Sequence, residues 1–361
     1  MSVLVRRGAL LGVAATALVA VMAGLARLGV AVPVGAAQAG EHGPLFVLGV
    51  FTSVIALERA VALGRALGYL APALGIAGAA AQIAGLRGAG GILGAGAVAA
   101  LAGVNIAIVW RQSVDFTWLM LLGSVVHGAG ALAWALGRPT HTVAPAWLAF
   151  FVLTIVAERL ELSRLAPTPQ WARRAIMVLG VLLAIAALAA LAFEDGPARL
   201  LGVVLVAVAG WQLRFDLARR TVHRAGLPRF VAVGVLLGAT WLAIAGAAMA
   251  ALALPAVGPV RDAVLHAVLV GFVLSMVFAH APIILPAVAR IEIPFHPALY
   301  LPLTVLHASL VARVAGDLLG LATMRTAGGV GNALALLTLF GVVLFTRRRA
   351  AADRNIEARG R

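Results

Sequence analysis

Twelve apolar stretches of about 20 residues, separated by short breaks, constrain this chain more than any other feature. A run of that length with almost no charge matches the roughly 30 Å hydrocarbon core of a bilayer. Lipid offers no hydrogen bonds to the backbone, so such runs must be helices, which pair their own amides. The runs lie near 8–32, 44–63, 69–86, 90–109, 116–136, 143–160, 176–193, 199–217, 230–253, 260–281, 298–321 and 328–346. Pro, Gly or charged residues mark the breaks, among them Pro33, Gly137-Arg138-Pro139, Pro167 to Arg174, Glu194 to Pro197 and Arg290 to Pro297. Composition agrees. The chain has 361 residues, 63% of them hydrophobic and 11% charged, whereas a soluble domain is about half apolar and a quarter charged. Its mean hydropathy is +1.06. The expected fold is all-α: a polytopic integral membrane protein of about 12 transmembrane helices. Residues 1–346 form one transmembrane domain, followed by a basic tail over 347–361, and there is no soluble domain.

The arginines set the orientation. All 28 basic residues are Arg, and the net charge is +15. If both termini lie in the cytoplasm, cytoplasmic segments hold 21 of them and the opposite loops hold five: Arg87, Arg138, Arg199, Arg261 and Arg325. Arg27 and Arg313 fall within spans. That imbalance is the positive-inside pattern. It is not the one-sided basic surface of a nucleic-acid binder, so no nucleic-acid partner is expected. The partner that the sequence demands is the lipid bilayer. Exclusive Arg usage with abundant Ala, Gly and Val fits a GC-rich bacterial genome, and hence a bacterial cytoplasmic (inner) membrane. Arg6 and Arg7 before an apolar run, with Gly35-Ala36-Ala37 beyond it, resemble a signal peptide; the run is long enough to span, and we read it as a retained first helix. The chain has no Cys, which excludes disulfides, thiolate metal sites and Cys nucleophiles.

A short internal echo is present. Ile55-Ala56-Leu57-Glu58-Arg59 ends the second run and Ile155-Val156-Ala157-Glu158-Arg159 the sixth, 100 residues later. His42 and His141 precede them at similar spacing. Four-helix repeats over 1–110, 111–220 and 221–346 would explain the offset. The plainer reading of each Glu-Arg pair is an anchor at the cytoplasmic boundary.

Ionisable groups within a membrane are costly, so each needs a reason. His42 opens the second run from the outside. His127 lies in the outer half of the fifth, His266 about two turns into the tenth, and His307 near the middle of the eleventh. Imidazole ligates Fe, Cu and Zn, and helical bundles build cofactor sites from inward-facing side chains. A lone intramembrane His can equally be an interhelical hydrogen-bonder. Taken together, the group favours a metal or haem site. His280 lies near the cytoplasmic side, just before Pro282 and Pro286, where the helix is expected to break or end; it is a further metal candidate, or part of an entry path, or equally a helix-terminal His at the interface. Arg313 and Asp317 are spaced i, i+4 and can pair, or Arg313 can hold a carboxylate of a cofactor such as a haem propionate. Asp262, one turn before His266, can orient its imidazole. No paired intramembrane carboxylates, phosphate-binding glycine loop, His-Glu-x-x-His or C-x-x-C-H motif is evident.

Leu265-His266-Ala267-Val268-Leu269-Val270-Gly271, with Met276 beyond, resembles the Leu-His-Ala…Val-Gly…Met pattern of the NnrS family. So does the opening His42-Gly43-Pro44-Leu45-Phe46 in a chain of about twelve spans. Glu41 precedes His42 here, where the family has a nearby Glu elsewhere, and the family's later Gly-His-x-Gly-Arg segment is missing. The resemblance implies a haem- and copper-containing membrane protein of nitric oxide metabolism or nitrosative-stress response, with His42 and His266 as the positions that carry over. Nitric oxide and a respiratory electron-transfer partner are then the expected partners. Two other classes remain open: a cofactor-free secondary transporter, for which Pro-broken helices speak, and a membrane scaffold subunit of a respiratory complex, in which the histidines merely pack.

Overall fold

In a computed structural model of the protein, residues 2–33, 35–165, 168–193 and 195–359 are described. The breaks expected at Pro167 and Glu194, and the tail's last residues Gly360 and Arg361, lie outside them. Among the described residues there is no strand, and twelve helices are long and apolar enough to cross a membrane. They are α1 Val3–Arg27, α2 His42–Leu63, α3 Ala66–Ile83, α4 Arg87–Arg111, α5 Asp115–Ala135, α6 Thr140–Leu162, α7 Gln170–Ala189, α8 Gly196–Phe215, α9 Leu227–Leu252, α10 Pro259–Ala289, α11 Pro297–Leu318 and α12 Ala322–Arg349. The protein is a polytopic helical membrane protein. The even count puts both ends on one side, the Arg-rich one. The last helix runs on through the expected tail to Arg359.

Most helix bounds fall within a few residues of the apolar runs, but α1 is shifted five residues toward the N-terminus. Its end is set by backbone geometry. Gly29 has φ +79, and the amides of Gly29 and Val30 bond back to the Ala26 and Leu25 carbonyls. This left-handed closure leaves the following apolar residues outside the helix. The expected break of α10 at His280 to Pro286 does not occur. The helix continues past both prolines to Ala289, and Arg290, at φ 53 and ψ 41, turns the chain. Arg6 donates to the Val288 carbonyl, and Arg7 to those of Ala289 and Arg290, at 3.1 to 3.4 Å. These guanidinium groups satisfy carbonyls that have no partner within α10.

The interruption of α10 lies earlier. Ala267–Leu274 is a π-helical segment, and α2 has its counterpart at Leu45–Phe51. Each widening begins within three residues of a histidine, His266 or His42. In α2, Pro44 contributes by removing a backbone donor at the start of the widened stretch.

Helix α6 lies at the centre, 89% buried over its apolar window against 22% for α1 and α12 at the periphery. It packs on α5, α7, α8 and the widened part of α10. Helix α10 also meets α2, with α1 laid across both. Small residues allow the close approaches. A Cβ on Gly246 of α9 would stand 2.8 Å from the Gly202 carbonyl oxygen of α8, so only glycine permits this crossing.

Candidate metal centre

His42 and His266 come together at the end of the bundle opposite the Arg-rich side. Their rings are nearly parallel, 14° apart, with centroids at 6.4 Å. Each Nδ1 lies 2.7 Å from a backbone carbonyl oxygen, Ala20 of α1 for His42 and Asp262 of the same helix for His266. A carbonyl only accepts, so the proton of each neutral ring sits on Nδ1. Each Nε2 then presents a lone pair, and neither has a hydrogen-bond partner among the described residues. That tautomer, locked by a backbone acceptor, is the one a metal-ligating histidine needs.

Helix α1 shapes the place of His42. A Cβ on Gly24 would lie 2.6 Å from His42 Nδ1, so the imidazole occupies the space that glycine leaves. Phe46, one turn on, closes the other side edge-on at 5.2 Å.

Asp262 holds His266 through its carbonyl and not its carboxylate. The carboxylate faces Arg313 Nη2 at 3.4 Å. The expected Arg313–Asp317 pair does not form. Arg313 turns toward α10, where Gly328 and Gly329 of α12 make room for it, and Asp317 has Arg325 Nε at 3.9 Å instead. The Arg313 side chain is 8% exposed and its Nε has no partner. Beside His42, Glu41 meets Arg87 at 3.5 Å; burial raises its carboxyl pKa above the ordinary value and Arg87 opposes the rise.

The remaining candidate histidines stand apart. The Thr52 hydroxyl donates to the Val47 carbonyl at 2.7 Å, so it accepts from His127 Nε2 at 2.8 Å. His127 stacks on Phe150 at 4.1 Å, and its Nδ1 is buried without a partner. In His307, Nδ1 accepts from Trp241 Nε1 at 3.0 Å and Nε2 meets the Ser275 hydroxyl at 3.2 Å. Both ring nitrogens are therefore used within the protein. Thr52 and Ser275 each immediately follow a π-helical segment, so α2 and α10 share one device: a widened helix whose closing hydroxyl meets an imidazole on a crossing helix. His280 lies toward the Arg-rich end, with Nδ1 on the Met276 carbonyl at 2.9 Å and Nε2 accepting from Arg159 Nη1 at 3.3 Å. Among the described residues no three His, Cys, Asp or Glu groups gather to hold a metal ion. His42 and His266 stand as a pair.

The Glu-Arg echo marks residues that meet. Arg59 Nη2 lies 2.8 Å from Glu58 and 3.8 Å from Glu158, so two carboxylates share one guanidinium within the spans. This corrects the expectation that no carboxylates pair there. Arg159 binds Asp216 in bidentate fashion at 2.7 and 2.5 Å, both side chains nearly inaccessible. Asp216 closes α8, and its role was not evident from sequence. Nor was that of Ala20 and Gly24, which carry no polar side chain to draw attention.

No curated protein and no solved structure matches this chain. One family model, described as "Domain of unknown function (DUF8744)", matches residues 6–348. That match covers well over half of the chain, which therefore belongs to the DUF8744 family.

Proposed function

We propose that this is a metal-binding membrane protein of the NnrS type, in which His42 and His266 ligate one haem iron or copper and the site serves nitric oxide metabolism or the nitrosative-stress response. The observation that carries the reading is the pair of parallel imidazoles with backbone-locked Nδ1 protons and unpartnered Nε2 atoms. His42 and His266 would hold the metal through neutral imidazole nitrogens, a donor type that suits haem iron or copper. The pair alone does not suit a closed structural zinc site, which needs four ligands.

In this reading His42 and His266 hold the metal, and Ala20 and Asp262 fix the ligating tautomer. Arg313, buried and with a free Nε, supplies positive charge for a carboxylate substituent of the bound group. The metal supplies redox chemistry or gas binding; this chain's groups orient it and shield it from water. A cytoplasmic membrane location and an electron-transfer partner follow from the same reading.

The test is a reduced-minus-oxidised optical spectrum of the detergent-purified protein, with metal analysis of the same sample. A Soret band with stoichiometric iron supports haem, and stoichiometric copper without it supports copper. A folded, colourless, metal-free preparation overturns the reading. It would leave a secondary transporter, which the interrupted helices α2 and α10 and the Glu58–Arg59–Glu158 group favour.

A further inference from the structure

At the Arg-rich end, away from the histidine pair, a cavity of about 810 Å³ opens between the start of α7 and the end of α8. That size accommodates a small organic ligand. Its charge is the informative feature. Arg214, Arg219 and Arg220 line it, and none of the three forms an ion pair among the described residues. The one carboxylate in the wall, Asp216, is already neutralised. Arg159 grips both of its oxygens from behind, and Oδ1 also accepts the Ala218 amide at 2.7 Å. The cavity therefore presents three uncompensated guanidinium groups.

Its other walls suit an anion with an organic part. The Thr168 hydroxyl is buried and has no partner among the described residues. The start of α7 carries no side-chain cap at Pro169, so its first amides are unpaired. Trp171, 63% exposed, meets Phe215 edge-on at 5.1 Å, and Arg214 lies over the Phe215 ring at 5.1 Å. A guanidinium stacked in this way keeps its in-plane N–H donors free for bidentate binding. Trp171 stands where the apolar span gives way to polar loop, the depth of lipid headgroups.

We propose that this cavity is a binding site for a phosphate-bearing anion, held by Arg214, Arg219 and Arg220 and by the Thr168 hydroxyl, with Trp171 and Phe215 covering its organic part. The phosphate belongs either to an anionic lipid headgroup or to a soluble phosphate compound. The site is independent of the metal reading and stands or falls separately.

Full-length protein in non-ionic detergent would be titrated calorimetrically with dioctanoyl phosphatidic acid, dioctanoyl phosphatidylcholine, inorganic phosphate and pyrophosphate. The expected result is phosphatidic acid or pyrophosphate binding about tenfold or more tighter than phosphatidylcholine. The R219Q/R220Q double variant should lose about tenfold in affinity, and R214Q should also bind more weakly. The control R348Q/R349Q, at another basic part of the same face, should stay within about twofold. Binding of the lipid without the free phosphates assigns the site to a headgroup; binding of the free phosphates, in competition with the lipid, assigns it to a soluble ligand. The proposal is overturned if no phosphate probe exceeds phosphatidylcholine, or if the control loses as much as R219Q/R220Q. Unchanged melting of the ligand-free variants would show that they fold.

Discussion

At the scale of single residues, identical side chains have opposite fates. His42 and His307 are both half-buried imidazoles in apolar helices. His307 spends both nitrogens on Trp241 and Ser275, whereas His42 spends one on the Ala20 carbonyl and keeps the other. Replacing His307 by Phe should cost about 1–3 kcal/mol, because Trp241 Nε1 is left unpaired in the bundle, and should leave metal content unchanged. Thermal melting and metal analysis of the same sample check both parts. Gly24→Ala should do the reverse. The new methyl takes the space of the His42 ring. Metal affinity should fall about tenfold or more, as when a ligand's supporting contact is lost, with the bundle still folded. Competition with a chelator measures that loss. Sequence reasoning named His42 and His266, which the fold brings together, through depth and family pattern, but depth alone did not separate His42 from His307. The difference lies in Trp241 and Ala20, which are distant in sequence. Arg313 and Asp317 show the same limit. Their spacing permits a pair, yet Arg313 turns toward Asp262 because Gly328 and Gly329 leave it room.

At the scale of elements, hydropathy reads well because the bilayer leaves so little choice. An apolar 20-residue run must be a helix, and its ends are set by Gly, Pro and Arg. What hydropathy does not carry is phase. The π-helical stretches of α2 and α10 are apolar throughout, so nothing in their composition marks the widening. The prolines of α10 suggested a break at the wrong place, whereas the one in α2, Pro44, sits where the helix widens. The widenings place Thr52 and Ser275 against their imidazoles and begin beside His42 and His266. Gly271 lies within the α10 segment, where a Cβ would stand 2.6 Å from Trp241 Cβ. Gly271→Ala should therefore force α9 and α10 apart at a cost of about 1–3 kcal/mol, read as a lower melting temperature.

Across the whole molecule, polar groups concentrate at the two ends of an apolar bundle. The end away from the arginine-rich loops holds the histidine pair with Asp262 and Arg313. The Arg-rich end holds the Arg59 and Arg159 clusters, which tie α2, α6, α8 and α10 together. The Arg159–Asp216 pair is the most deeply buried of these links. Asp216→Ala should destabilise the bundle by about 3–5 kcal/mol, because it strands a guanidinium among helices, and the loss should appear as a lower melting temperature. The Glu-Arg echo in sequence pointed to this region as anchors at the cytoplasmic boundary, but not to the contact between them. The reason is that two similar five-residue stretches do not say whether their helices face each other.

The central claim is that His42 and His266 ligate the same metal. Metal-to-protein ratios of the wild type, His42→Ala, His266→Ala and His307→Phe, all purified as folded protein, test it most directly. The account predicts one metal per wild-type chain, its loss from each of the first two variants, and its retention in the third. Retention in either His42→Ala or His266→Ala, or a wild type that carries no metal, would contradict it.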